Sequence, residues 1–229
     1  MTVHSTRISV TPNQPPFRPS ATTIFRVVLA GVVVFAASVG YAVFEYYHSP
    51  YWTGVGRAPD QPVLFSHRHH AGELRIDCRF CHATVETSAF AGMPTTQTCL
   101  NCHSQLFTDT AMLQPVVHSA TTGQPLAWTR VTRLPDHVFF NHGIHLAKGV
   151  ACTSCHGDLG RMALTAKAEP LDMRECLACH RDPGPRLQPP EELFAAIKAT
   201  AEQRAAPGEL AARYQVHPTH LTNCSSCHH

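Results

Sequence analysis

Five copies of Cys-x-x-Cys-His constrain this chain more than any other feature: Cys78/Cys81-His82, Cys99/Cys102-His103, Cys152/Cys155-His156, Cys176/Cys179-His180 and Cys224/Cys227-His228. Together they use all ten cysteines of the 229 residues. The two-residue gap lets both thiols reach the two vinyl groups along one porphyrin edge from a single turn of chain. The next residue then aims its imidazole at the iron as proximal ligand. The pattern predicts five covalently bound haem c groups. Zinc is the rival, because the pairs at 78–102 and 152–179 fit zinc-ribbon spacing. Zinc leaves Cys224/Cys227 without a partner pair and gives no reason for a histidine after every pair. Five disulfides or redox sites share that second defect.

Five porphyrins limit the fold. Residues 50–229 must house them in about 180 residues, roughly 36 per haem, too few for a large side-chain core. The expected domain is mostly irregular, with short helices wrapped around the cofactors and little or no sheet. A net charge of +2 gives no basic balance that would attract nucleic acid. The chain also lacks a dinucleotide fingerprint and a phosphate loop.

An internal repeat follows the same logic. Residues 65–103 read Phe-x-His-x-x-His and then two Cys-x-x-Cys-His motifs, and residues 140–180 repeat that order. The modules are expected at 64–115 and 137–183, with a C-terminal haem segment at 190–229 and a connector at 104–136. Each iron needs a sixth ligand. His67 and His70, and again His142 and His145, stand three apart, so on a helical turn they share a side at different heights. They can serve two neighbouring irons as a bracket. The fifth iron has Met173 as a candidate, whose thioether would raise its potential, with His118, His137, His217 and His220 as weaker alternatives. His69 and His229 read as surface groups, and His4 and His48 lie outside the haem region. The run EELFAAIKATAEQRAA at 191–206, preceded by Pro190 and followed by Pro207-Gly208, predicts a helix whose Leu193, Phe194 and Ile197 face the haem body.

Residues 27–44, VVLAGVVVFAASVGYAVF, contain no charge and suit a membrane span. The expectation is a disordered cytoplasmic tail at 1–22, a transmembrane anchor at 23–47 and an extracytoplasmic domain at 48–229. Arg7, Arg18 and Arg26 precede the span with no acid among them, which keeps the N-terminus cytoplasmic. Tyr46, Tyr47, Tyr51 and Trp52 form an aromatic belt on the other side. The setting is then a bacterial inner membrane with the haem domain in the periplasm. A cleaved signal peptide with small residues at Ala36 and Ser38 is the alternative, against which the apolar run is long.

The repeated module resembles the cytochrome c7 and class III cytochrome group. The stretches FSHRHHAGELRIDCRFCHATVETSAFAGMPTTQTCLNCHS, FNHGIHLAKGVACTSCHG, MRECLACHRDP and LTNCSSCHH, together with the anchor, are similar to the pentahaem c-type cytochrome of alternative complex III. The resemblance implies an electron-carrying subunit, not catalytic alone. It also implies other membrane and iron–sulfur subunits of a quinol-oxidising complex as partners, with a soluble cytochrome c or a terminal oxidase as acceptor. A haem enzyme with one open iron, or a component of another periplasmic reductase, are the alternatives.

Overall fold

The structure is a computed structural model that describes residues 19–200 and 207–228. Most of the expected cytoplasmic tail, the last part of the expected 191–206 helix, His4 and His229 lie outside the described residues. The chain divides into two compact units, 1–53 and 54–229.

In the first unit, α1 (Pro19–His48) is one helix of 30 residues, about 45 Å at the α-helical rise. It is apolar on all sides, and its most hydrophobic window buries nothing. By length and composition this helix can cross a membrane. It stops where the sequence requires: Pro50 has no amide hydrogen to donate and disfavours helical backbone at Ser49 before it. The Ser49 hydroxyl instead donates to Tyr46 O at 2.6 Å, and a single turn, α2 (Pro50–Thr53), follows. There Trp52 packs edge-on against Tyr47, 4.7 Å between ring centres.

The second unit contains short helices and no sheet among the described residues. Its only β-type pairings there are two isolated bridges, Val138 with His228 and Val150 with Leu187. The helices are α3 (Cys78–Cys81), α4 (Thr96–His103), α5 (Gln114–Thr122), α6 (His142–Ala147), α7 (Thr153–His156), α8 (Met173–Arg181), α9 (Pro207–Arg213) and α10 (Cys224–Cys227). All five cysteine motifs therefore sit on a helical turn. Three of those helices are started by a side-chain cap that the local sequence supplies. Asp77 accepts from Arg79 N, Thr95 from Thr98 N and Asp172 from Glu175 N, each satisfying an amide the first turn leaves open. Asn141 caps α6 in the same way through Ile144 N.

Buried apolar side chains are few and scattered. Val63, Leu113 and Val116 form one small cluster with Cys99, Leu100, Leu126 and Trp128, joining α4 to α5. The stretch expected to be a plain connector therefore carries a helix of its own. Val85, Leu146, Ala151, Leu187 and Leu210 are buried singly elsewhere.

Over the described residues 191–200 the expected helix is absent: Pro190–Glu192 makes one 3-10 turn, and residues 195–200 are irregular. Competing partners explain this. Leu193 O accepts from Cys152 N, Ala196 O accepts from Gly160 N, and Asp158 captures Lys198 N at 2.6 Å. The stretch is sewn onto the loop of the third motif, and its carbonyls are no longer available for an i+4 ladder. Phe194 lies under the Arg79 guanidinium, 4.2 Å from its ring centre.

The two modules lean on each other crosswise. The first bracket, a π-helical turn Arg68–Glu73, rests on the loop after the third motif. Arg68 N donates to Met162 O at 2.9 Å, and Gly72 lies so close to Gly160 O that a Cβ would collide with it. The second bracket, α6, rests on the loop after the first motif. Gly143 N donates to Ser88 O at 3.2 Å, and a Cβ on Gly143 would sit 2.8 Å from Glu86 O.

Candidate functional site

Local ring packing is nearly identical in the two brackets. Phe65 meets His67 edge-on at 4.9 Å and 85°, and stacks on His70 at 4.4 Å and 24°. Phe140 meets His142 at 4.8 Å and 87°, and stacks on His145 at 4.5 Å and 24°. The phenylalanine thus holds both imidazoles of its bracket, which accounts for its place in the repeat.

Three of the four bracket histidines face a histidine that ends a cysteine motif. Ring centres are 6.2 Å apart for His70 and His103, 6.4 Å for His142 and His156, and 6.2 Å for His145 and His180. A fourth pair joins His137 to His228 at 5.6 Å. His67 lies within electrostatic reach of three imidazoles, those of His82, His70 and His156. Two imidazoles on opposite sides of one metal ion, with bonds of about 2 Å and ring centres about 1 Å behind each nitrogen, have centres about 6 Å apart. Each of the four ring pairs has room for one iron between its rings.

Hydrogen bonds fix which ring nitrogen faces the gap. Nδ1 donates to a backbone carbonyl in His70 (Ser66 O, 2.9 Å), His82 (Gly92 O, 2.7 Å), His103 (Leu106 O, 3.1 Å) and His142 (Ala89 O, 2.9 Å). The same holds for His145 (Asn141 O, 2.7 Å), His180 (Leu221 O, 2.7 Å) and His228 (His137 O, 3.4 Å). A carbonyl only accepts, so in a neutral ring Nδ1 holds the proton and Nε2 keeps its lone pair. His67 anchors Nδ1 on the Thr165 hydroxyl at 2.8 Å. Burial is the main reason His67 and His156 titrate near pH 4, with neighbouring imidazoles adding to it; burial also lowers His70 and His145. At neutral pH these rings are uncharged donors to a metal.

The thiols complete the donor set. All ten cysteines are free, and no three Cys, His, Asp or Glu side chains among the described residues converge on one metal point. A zinc ribbon needs such convergence. Two free thiols per turn, with an Nε2 donor behind them and a second Nε2 opposite, fit a c-type haem. The motifs also come together in a definite order. Cys81 lies within electrostatic reach of Cys99 and Cys102. The Cys78 and Cys152 thiols act on each other, while Cys78 Sγ donates to Phe194 O at 3.5 Å. Cys155 is near Cys179 and Cys176, and Cys176 is near Cys227.

The remaining candidates lie elsewhere. Met173 opens α8 with 65% of its surface exposed. His118 is exposed on α5, and His217 and His220 are exposed around the 3-10 turn Pro218–His220. His69 pairs with Glu73 at the surface. Sequence reasoning missed Thr165 and the carbonyls that orient the rings, because these partners are remote or belong to the backbone and leave no residue-type signal.

Comparison with known proteins agrees with this geometry. Residues 53–127, which hold the first bracket and the first two motifs, match the class III cytochrome c family. The chain is 35% identical over 98 residues to the multihaem cytochrome c subunit of menaquinone reductase from Nitratidesulfovibrio vulgaris strain Hildenborough, covering 42% of this chain and 46% of the relative. It is 34% identical over 92 residues to cytochrome c3 of the same organism, covering 40% of this chain and 58% of that relative. The chain thus spans about half the length of the curated relatives it matches. Residues 53–127 are thus similar to the class III multihaem cytochrome c domain.

Proposed function

We propose that the chain is a membrane-anchored pentahaem cytochrome c that relays electrons inside a quinone-linked oxidoreductase complex. The observation that carries this reading is the set of four facing histidine pairs with ring centres 5.6–6.4 Å apart, joined by His67 within electrostatic reach of His82. Each bound haem supplies a one-electron Fe(III)/Fe(II) couple. The protein's part is to attach, orient and space. Sites numbered by motif take His82 with His67, His103 with His70, His156 with His142, His180 with His145, and His228 with His137. His137 serves the fifth site in preference to Met173. Held by two of these imidazoles each, the five haem irons would have no position open for a substrate, which would suit conduction rather than catalysis.

Proximities between the motifs support one order for the relay. Cys81 beside Cys99 joins sites 1 and 2, Cys78 against Cys152 joins 1 and 3, Cys155 near Cys179 joins 3 and 4, and Cys176 near Cys227 joins 4 and 5. The path runs 2–1–3–4–5, with sites 2 and 5 as its ends. A relative is the multihaem subunit of a menaquinone reductase, and the whole-chain resemblance is to alternative complex III. Both support a quinone-linked assembly, in which other membrane and iron–sulfur subunits handle the quinone. On this reading α1 holds the domain on the periplasmic face of the inner membrane, and a soluble cytochrome c or a terminal oxidase takes the electrons. Pyridine haemochrome analysis of the purified full chain tests the reading. Five haems per chain, all low-spin and inert to carbon monoxide when reduced, are expected. Fewer haems, or a carbon monoxide adduct in the wild type, would overturn it.

A further inference from the structure

Between the third and fourth motifs lies a charged pair that the ligand sets do not use. Arg186 ends the 3-10 turn Gly184–Arg186 that follows α8. Its guanidinium donates to Glu175, the residue before Cys176, in a short ion pair whose side chains are only 32% and 23% exposed. Its other arm donates to Ser154 O at 3.2 Å, inside the third Cys-x-x-Cys, and the Ser154 hydroxyl returns a bond to Arg186 O at 3.3 Å. The adjoining backbone is sewn to the same region: Leu187, 2% exposed, bridges to Val150, and Gln188 N donates to Gly149 O at 2.8 Å. One arginine thus ties the attachment loop of site 3 to the attachment helix of site 4.

We infer that Arg186 and Glu175 are positioning residues that fix the spacing of sites 3 and 4 and set the redox potentials of the two haems held there. This rests on the haem reading above. The guanidinium acts on the Cys155 and Cys179 sulfurs, one from each site, against the carboxylates of Glu175, Glu169 and Asp182. Those sulfurs become the thioether edges of the two haems. Reduction lowers the charge on an iron by one, so a fixed cation beside it favours the reduced state and a fixed anion the oxidised state. Partial burial keeps the effect from being screened away. In the step between the sites one iron is oxidised as the other is reduced, and both charges stand beside that step.

Spectroelectrochemical titration of the full-length membrane-extracted protein is the test, with haem count as a control. Arg186→Gln should lower the potentials of two of the five haems, and Glu175→Gln should raise the same two. Arg186→Lys should return them toward wild type. Shifts of the same sign in both neutralising variants would reduce the pair to a structural clasp and overturn the inference, as would titrations that superimpose on wild type while five haems remain bound. If Arg186→Gln fails to mature, the upward shift predicted for Glu175→Gln decides alone. A wild type lacking its haems would instead defeat the reading on which the inference rests.

Discussion

The imidazoles of His142 and His156 face each other 6.4 Å apart and within 7° of parallel. His142 is held by Ala89 O from the first module, while His156 belongs to the third motif. Three separate parts of the sequence thus meet at one site. A ring aimed by a backbone carbonyl recurs in the other pairs, locally at His70, His103 and His145 and from far along the chain at His180 and His228.

His137 and Met173 are separable by spectroscopy. In His137→Ala the fifth iron loses its second imidazole, and one haem of five should turn high-spin and bind carbon monoxide when reduced. Met173→Leu should leave the low-spin spectrum and every potential unchanged. Electron paramagnetic resonance of the oxidised variants checks both.

The crosswise docking makes two glycines critical. At Gly72 a methyl group would collide with Gly160 O, and at Gly143 with Glu86 O. Backbone oxygen cannot swing aside as a side chain can, so Gly72→Ala and Gly143→Ala should each cost about 1–3 kcal/mol. In a domain of this size that lowers the melting temperature by roughly 2–4 °C per kcal/mol, measurable by thermal denaturation.

Gly149 combines two constraints. Its φ is +83°, and the Tyr214 ring occupies the place of a Cβ while its hydroxyl donates to Gln188 O at 2.9 Å. Gly149→Ala should therefore destabilise more than the roughly 1–2 kcal/mol of left-handed backbone alone. In a Tyr214→Ala background the steric part disappears and only the backbone part remains. A double-mutant cycle of melting temperatures separates them.

Asp77 gives a pH dependence of known sign. The bidentate Arg79 guanidinium, helped by the cap bond to Arg79 N, holds the Asp77 carboxyl below its ordinary value. A carboxyl depressed by folding adds stability that is whole above its unfolded pKa of about 3.9 and is lost as pH falls through the folded value. The pair is exposed, so the gain is small. Asp77→Asn should flatten the fall of melting temperature below about pH 4 and leave it little changed at pH 7.

The cysteine motifs, their trailing histidines and the two brackets were legible in the sequence as short fixed spacings, and the structure sets three of the four bracket histidines opposite motif histidines. Short helices without a sheet followed from the number of motifs per residue. Pairing was not legible. Nothing local distinguishes His137 from His118, and the separation depends on Phe139 N reaching Cys227 O, which brings residues 137–139 to the last motif. Arg186 was invisible for the same reason, since its partner Ser154 is 32 residues away. The misread helix from 191 shows the converse: favourable helical signals lost to Gly160, Cys152 and Asp158, three competitors in a loop about 40 residues earlier.

Because Thr165 orients His67 while Ala89 orients His142, each half of the domain supplies the other with a part it cannot make itself. Duplicating an ancestral two-haem unit would not by itself have produced this arrangement. The copies became mutually dependent, so a fragment ending near residue 130 should mature poorly even though it contains two complete attachment motifs. On the proposed reading, in which the domain is exported and then loaded with haem, assembly of the front half would wait for the rear.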